Sequence, residues 1–293
     1  MARPRKPVGA ARGVFVFGAG KVGSALARAL RKAGVRVRLR AARRGLPRVI
    51  HEPVLVLAVR EGQLGDLVAA MTDSPPMPRT AVVVHVSGAL DESVLAPLRA
   101  VCAGVAQMHP LISFASKAFS PDVRRGNVLV RGDAVATARA RGIARALGMT
   151  PRTIDGLDGV AYHAAAGLVA NGAAALAAVG AELLARAGVT NDVAPKMLGP
   201  LLRSVAENVA RLGFPDALTG PVRRGDAAGV ERHLAVLSSK MPSAVDLYVA
   251  SGEAQLPIAR AIGDAPGDRF DAVGRALEKV RRKPRKSERR PPG

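Results

Sequence analysis

The sequence predicts an α/β protein, with an N-terminal, doubly wound, mostly parallel sheet followed by an all-α domain. Three observations carry this. A short apolar β-type run, Val14–Phe17, enters a glycine turn and then an Ala/Leu-rich helical segment. Strand-like and helix-like stretches then alternate as far as about residue 155, the pattern of βαβ units with right-handed crossovers. From 157 to 262 no convincing strand recurs, and Ala, Leu and Val repeat with helical spacing. A chain of 293 residues is long enough for two such domains.

Taken in order, strands are expected at 14–17, 35–39, 54–59, 81–86, 105–108 and 128–130, with helices at 64–71 and 94–102 between them. The second half is expected to hold helices at 158–187, 191–211, 226–237 and 243–261. Gly188, Gly213 and Gly263 stand where helices should stop, and Pro195 falls in a first turn. The boundaries that follow are a basic arm at 1–12, a dinucleotide-binding domain at 13–155, an α-domain at 156–263 and a basic tail at 264–293. A short helix near 272–280 is expected in that tail, with disorder elsewhere.

Charge is the most conspicuous bulk property, with 44 basic against 23 acidic residues for a net +21. Much of it is terminal: residues 1–12 hold four basic residues and no acid, and 279–290 hold eight against one glutamate. Solvated tails are the expected meaning. Specific nucleic-acid binding is not expected, because aromatics are 3% of the chain and tryptophan is absent, which leaves few stacking platforms. The single cysteine, Cys102, excludes a disulfide framework, a cysteine zinc site and an iron-sulfur centre, and it suits a reducing cytoplasm; no metal is expected. No membrane span is expected, since the most apolar stretch, 164–181, is mainly alanine and glycine and contains Asn171. Nor is a signal peptide.

The glycine turn carries the first chemistry. Gly18-Ala19-Gly20-Lys21-Val22-Gly23 has the G-x-G-x-x-G spacing, with a strand before it and a helix after it. Gly18 permits the tight turn, Gly20 lets backbone approach a pyrophosphate, and Gly23 lets the helix pack closely on the strand. An acidic residue near the end of the second strand would select NAD, but the first acid in the chain is Glu52. Arg40, Arg43 and Arg44 stand there instead, suited to clamp a 2′-phosphate, so NADP is the expected cofactor. An exposed arginine-rich edge is the structural alternative.

Two later strand ends are also unusual. Ser87 and Gly88 close the fourth strand and would let a hydroxyl and bare backbone lie beside a nicotinamide. His109, in Met108-His109-Pro110, stands on the loop side after the fifth strand and is the preferred proton donor, although a structural histidine fixing the proline turn fits nearly as well. In the α-domain, His163, Gly167 and Asn171 are spaced by four and share one helix stripe. His163 is the second candidate acid and Asn171 a candidate for orienting a carbonyl or imine; buried polar groups satisfying one another are the alternative. Thr219, Gly220 and Arg224 lie in a turn before a helix for which Asp226 is the expected N-cap, and they are candidates for binding an acidic substrate.

Together these motifs resemble those of bacterial Rossmann-like proteins with a C-terminal domain of unknown function, which are themselves similar to pyrroline-5-carboxylate reductases, prephenate dehydrogenases and 6-phosphogluconate-dehydrogenase-like enzymes. Residues 18–23, 87–90, 108–111 with Phe114, 162–165 with Asn171, and 219–226 with His233 carry the resemblance, which spans about 14–262. In related folds the helical domain builds the dimer, so the resemblance implies a homodimer through the α-domain, but its motifs are specific for the family and not for a reaction. The expected function is an NADP-dependent reductase acting on a small carbonyl or imine substrate that carries a carboxylate. One departure matters. The β-hydroxyacid dehydrogenase relatives place a lysine four residues before the asparagine, whereas Gly167 stands there in this chain. That absence leaves a non-catalytic NADP-binding sensor or scaffold as the alternative.

Overall fold

The computed structural model describes residues 13–281, which fall into two compact units divided between residues 170 and 171. The basic arm at 1–12 and the last part of the basic tail, 282–293, lie outside the described residues.

The first unit is a seven-stranded sheet in the order β2-β1-β3-β4-β5-β6-β7. Its strands are β1 (Val14–Phe17), β2 (Val37–Arg40), β3 (Val54–Leu57), β4 (Val82–His85), β5 (Gly104–Pro110), β6 (Asn127–Gly132) and β7 (Thr150–Arg152). Neighbours pair in parallel except β5 with β6. The helices α1 (Lys21–Lys32), α2 (Leu64–Asp73) and α3 (Ala134–Ala146) complete the layers.

Strands β1, β3 and β4 are buried along their whole length, because helices cover both faces of the sheet. Alternate residues go to opposite cores. Val14, Val16, Val54, Val56, Val82 and Val84 pack with Leu26 and Leu30 of α1 and Ile143 of α3. Phe15, Phe17, Leu55, Leu57 and Val83 pack with Leu64, Val68 and Met71 of α2. In the order β2-β1-β3 the strands are added to one side of β1 and then to the other, all parallel, so the crevice at the C-terminal ends of β1 and β3 is where such a sheet receives a ligand.

Four features differ from expectation. The helix at 92–100 is of the 3-10 type and contains Pro97, whose missing N–H suits a tight helix poorly supported by α-type bonds. Strand β6 runs antiparallel to β5. Strand β7, three residues around Pro151, was not foreseen; proline is tolerated there because the strand lies at the sheet edge. Finally, residues 264–281 are not a disordered tail. They carry a full helix, α8 (Gly267–Arg281), that buries Phe270, Val273, Ala276 and Leu277 at spacings of three, four and seven.

Helix α4 (Gly159–Arg186) runs across the division between units, which therefore falls within this helix and not at residue 155. The second unit holds the rest of α4 with α5 (Ala194–Leu212), α6 (Ala227–Lys240), α7 (Val245–Ile262) and α8. Its core joins Val230 and Leu234 of α6, Val249 of α7, and Phe270 and Leu277 of α8. Gly252 makes the α7 to α8 approach possible, since a Cβ there would stand 2.9 Å from the Leu277 methyls. Asp226 N-caps α6 as expected, accepting from Gly229 N–H at 2.8 Å.

Helix α4 also alters one expectation. It has 28 residues and includes an 18-residue window of mean hydropathy 1.7, so by length and composition it could cross a membrane; one asparagine among so many alanines does not lower that average enough. No residue of α4 is buried.

Candidate functional site

The glycine turn divides into two structural glycines and one open one. Gly18 has φ +111°, and a Cβ there would lie 2.2 Å from the Ala58 carbonyl oxygen. A Cβ on Gly23 would lie 1.9 Å from the Gly18 carbonyl oxygen. Both positions are closed by backbone, which cannot yield as a flexible side chain can. Gly20 is different: a Cβ there would meet nothing within 4 Å, and its φ of −74° suits any residue. It is also the N-cap of α1 and offers no side-chain cap to the first-turn N–H groups. Open space before uncapped donors is what a pyrophosphate requires.

The arginines after β2 are not equivalent. Arg38 is committed, forming two 2.8 Å bonds to Glu52 and lying over the Phe15 ring at 4.4 Å. Arg40 is committed too, donating 2.7 Å bonds from Nε to the Gly45 carbonyl and from Nη2 to the Arg44 carbonyl. It thereby pins the short 3-10 turn Ala42–Arg44. Arg43 and Arg44, carried on that turn, are exposed. With Phe15, Ala19 and Leu39 these residues line a cavity of about 330 Å³.

The ends of β4 and β5 bring the polar candidates of the first unit together. His109 Nδ1 lies 3.0 Å from the Tyr162 hydroxyl, and the two rings meet edge to face. The His109 and His163 rings are 6.1 Å apart between centroids. Both imidazoles converge on Gly88, where a Cβ would stand 2.6 Å from His163 Nδ1 and 2.7 Å from His109 Nε2. Any side chain at 88 would displace them. Burial, followed by repulsion from His163 and His85, lowers the His109 pKa to about 4.

Ser87 is held from several sides. Its hydroxyl donates to Glu61 Oε1 at 2.5 Å and accepts from Leu90 N–H at 3.2 Å. Beneath the loop lie two buried polar residues that are cross-strand neighbours, His85 and Gln107. His85 Nε2 donates to the Asp91 carbonyl at 2.9 Å while its Nδ1 accepts from Ser87 N–H at 3.2 Å. That pairing needs a neutral ring, and burial lowers the His85 pKa in the same sense. Gln107 Nε2 donates to the carbonyls of Ser87 and Leu90 at 2.8 and 2.7 Å. Sequence reading passed over Glu61, His85 and Gln107 as functional residues. A polar residue within a strand that is otherwise apolar on both faces was the available signal for the last two.

Asn171, Thr219, Gly220 and Arg224 belong to the second unit. Asn171 is exposed on α4, Thr219 and Arg224 are exposed, and Gly220 has φ +97°. Their neighbour Arg223 organises the turn, pairing with Asp264 at 2.6 Å and donating to the carbonyls of Asp216 and Leu218. Among the described residues no cluster of three or more His, Cys, Asp or Glu could hold a metal ion.

Comparison with known proteins agrees with this architecture. No curated protein sequence matches the chain. Among solved structures, BF3122 from Bacteroides fragilis, provisionally described as an NADP oxidoreductase, superposes with a TM-score of 0.66 at 21% identity, covering 83% of this chain and 97% of its own. TM1727 from Thermotoga maritima gives 0.62 at 22%, covering 85% and 98%. Pyrroline carboxylate reductase from Plasmodium falciparum, solved with NADP bound, gives 0.56 at 14%, covering 92% and 97%. At such identities the likeness establishes the fold: a Rossmann-like sheet followed by a helical region. Residues 127–255 match the family described as Domain of unknown function (DUF2520), and the fold is shared with solved structures that include NADP oxidoreductases, so the similarity implied by the motifs is found.

Proposed function

We propose that this chain is an NADP-dependent oxidoreductase that moves hydride between the nicotinamide and a small carbonyl or imine substrate. The observation that carries the reading is the convergence of His109 Nε2 and His163 Nδ1 over Gly88, at the end of the sheet that also holds the glycine turn. The names of BF3122 and of the pyrroline carboxylate reductase point the same way.

When bound, the nicotinamide supplies or accepts the hydride. Everything else falls to this chain's residues. The open N-terminus of α1 at Gly20 holds the pyrophosphate, and Arg43 and Arg44, presented on the turn that Arg40 pins, hold the 2′-phosphate. Gly88 leaves room for the two imidazoles to approach the backbone, and Ser87 is oriented by Glu61.

The two histidines divide the proton chemistry, which revises the preference for His109 as the acid. With a pKa of about 4, only about one His109 ring in a thousand is charged at pH 7. It serves as a neutral hydrogen-bond donor to the substrate oxygen or nitrogen. The proton that completes reduction comes from His163, whose exposed ring keeps its solvent contact. The second unit offers a docking surface for a second copy of the chain, and the lone thiol of Cys102 suits a reducing, cytoplasmic setting.

Loss of NADPH absorbance against a panel of keto acids and imines tests the proposal. His163→Ala is expected to lower kcat at least ~10²-fold with cofactor affinity intact, and His109→Gln to lower kcat less. Tight NADPH binding with no turnover on any member, and no response to either substitution, would favour the sensor reading that Gly167 in place of a lysine suggests.

A further inference from the structure

We propose that Tyr162 is a positioning residue that fixes His109 as the Nε2–H tautomer, so that the nitrogen aimed over Gly88 is the one carrying the hydrogen. The inference deepens the oxidoreductase reading and rests on it for its purpose, although the tautomer itself can be observed without any substrate.

The geometry places the phenol on one side of the imidazole and the site on the other. Tyr162 Oη is 3.0 Å from Nδ1, whereas Nε2 is on the opposite side of the ring, close against Gly88 and 2.7 Å from where a Cβ would stand. A phenol is a good donor and a poor acceptor, because its lone pair is drawn into the ring; the unprotonated nitrogen of a neutral imidazole is a good acceptor. Burial raises the Tyr162 pKa, so the hydroxyl keeps its proton. The hydroxyl has no other hydrogen-bond partner among the described residues. The bond therefore runs from the Tyr162 O–H to Nδ1, and the one hydrogen of a neutral His109 ring must sit on Nε2.

The consequence reaches the substrate. An Nε2–H group can donate to a carbonyl oxygen or imine nitrogen above Gly88, whereas the opposite tautomer would present a lone pair and repel it. Tyr162 and His163 are consecutive on α4, so one turn of helix brings the second imidazole to the site and sets the hydrogen on the first.

The test is long-range ¹H–¹⁵N correlation on the full chain labelled with ¹⁵N-histidine, at pH 7.5. The His109 ring is identified by the signals that disappear in His109→Gln. The wild-type protein should show a neutral His109 with a pyrrole-type Nε2 and a pyridine-type Nδ1. In Tyr162→Phe, which removes only the hydroxyl, the ratio of Nε2–H to Nδ1–H forms should fall about 5- to 10-fold, the range one hydrogen bond commands. A wild-type His109 that is charged or carries its hydrogen on Nδ1 would overturn the proposal without any variant. So would an unchanged ratio in Tyr162→Phe. An NADPH titration of the same samples separates the two ideas, because failure to bind cofactor would remove the oxidoreductase reading and leave the tautomer result standing.

Discussion

His109 gives the clearest case of one residue whose environment decides its role. An ordinary histidine exchanges its proton near pH 6.5, but burial beside His163 and His85 lowers this one to about 4. The unfolded chain therefore binds more protons than the folded one between these values. The stabilisation is fully present above pH 6.5 and is lost as the pH falls towards 4, by up to about 3 kcal/mol. His109→Gln should flatten the acid limb of the stability curve in urea titrations between pH 4 and 6.5. His85, shifted in the same direction, would leave a residual slope. The arginines give a second test. Because Arg43 and Arg44 are exposed while Arg38 and Arg40 are already bonded, Arg43→Ala/Arg44→Ala should abolish most of the preference for NADPH over NADH. Calorimetry should find a weakening of about 1.5–3 kcal/mol for each charge-assisted hydrogen bond to the 2′-phosphate that the alanines remove. The sequence showed that arginines replace the NAD-selecting acid, since that needs only residue type and position. It could not show which were free, because Glu52 and the carbonyls of Gly45 and Arg44 reach Arg38 and Arg40 only once the chain is folded.

At the scale of elements, the legible parts were those in which local pattern and tertiary demand agree. Strand β1, its glycine turn and α1 were readable because strand, turn and helix each leave their own periodicity in consecutive residues. The 3-10 type of the helix at 92–100, strand β7 and the length of α8 were not, since proline at 97 and 151 masks the local signal and α8 owes its burial to α6 and α7. The pairing of His109 with Tyr162 was equally hidden, because 53 residues of sequence separate the two. Within the glycine turn, the structure separates two roles that the motif merges. Gly20→Val should fold normally, as judged by thermal melting, and lose NADPH affinity by at least ~10-fold, because the new side chain fills only the space a pyrophosphate needs. Gly23→Val should instead lose about 3 kcal/mol or more of stability, since its Cβ has no room beside the Gly18 carbonyl. Equal stability of the two variants would mean that the turn relaxes freely.

For the whole molecule, the net charge of +21 says less about partners than one uncharged surface does. Helix α5 exposes Met197, Leu201, Val205 and Leu212 along one side, spaced by four, four and seven, and α4 adds Leu176 in the same unit. An unsupported apolar surface of this length exceeds what single exposed leucines on a monomer would explain. A second copy of the same chain suits it best, because a two-fold partner offers the same apolar stripe in return and needs no other protein. Sedimentation of the full chain at micromolar concentration should therefore give a dimer. Leu201→Asp/Val205→Asp should give a monomer with unchanged far-ultraviolet circular dichroism, as each carboxylate would have to be desolvated within the interface while costing nothing on the exposed helix. The membrane alternative, raised by the apolar length of α4, is judged in the same preparation: a wild-type protein that sediments as a monomer in buffer and floats with lipid vesicles would assign the stripe to a bilayer.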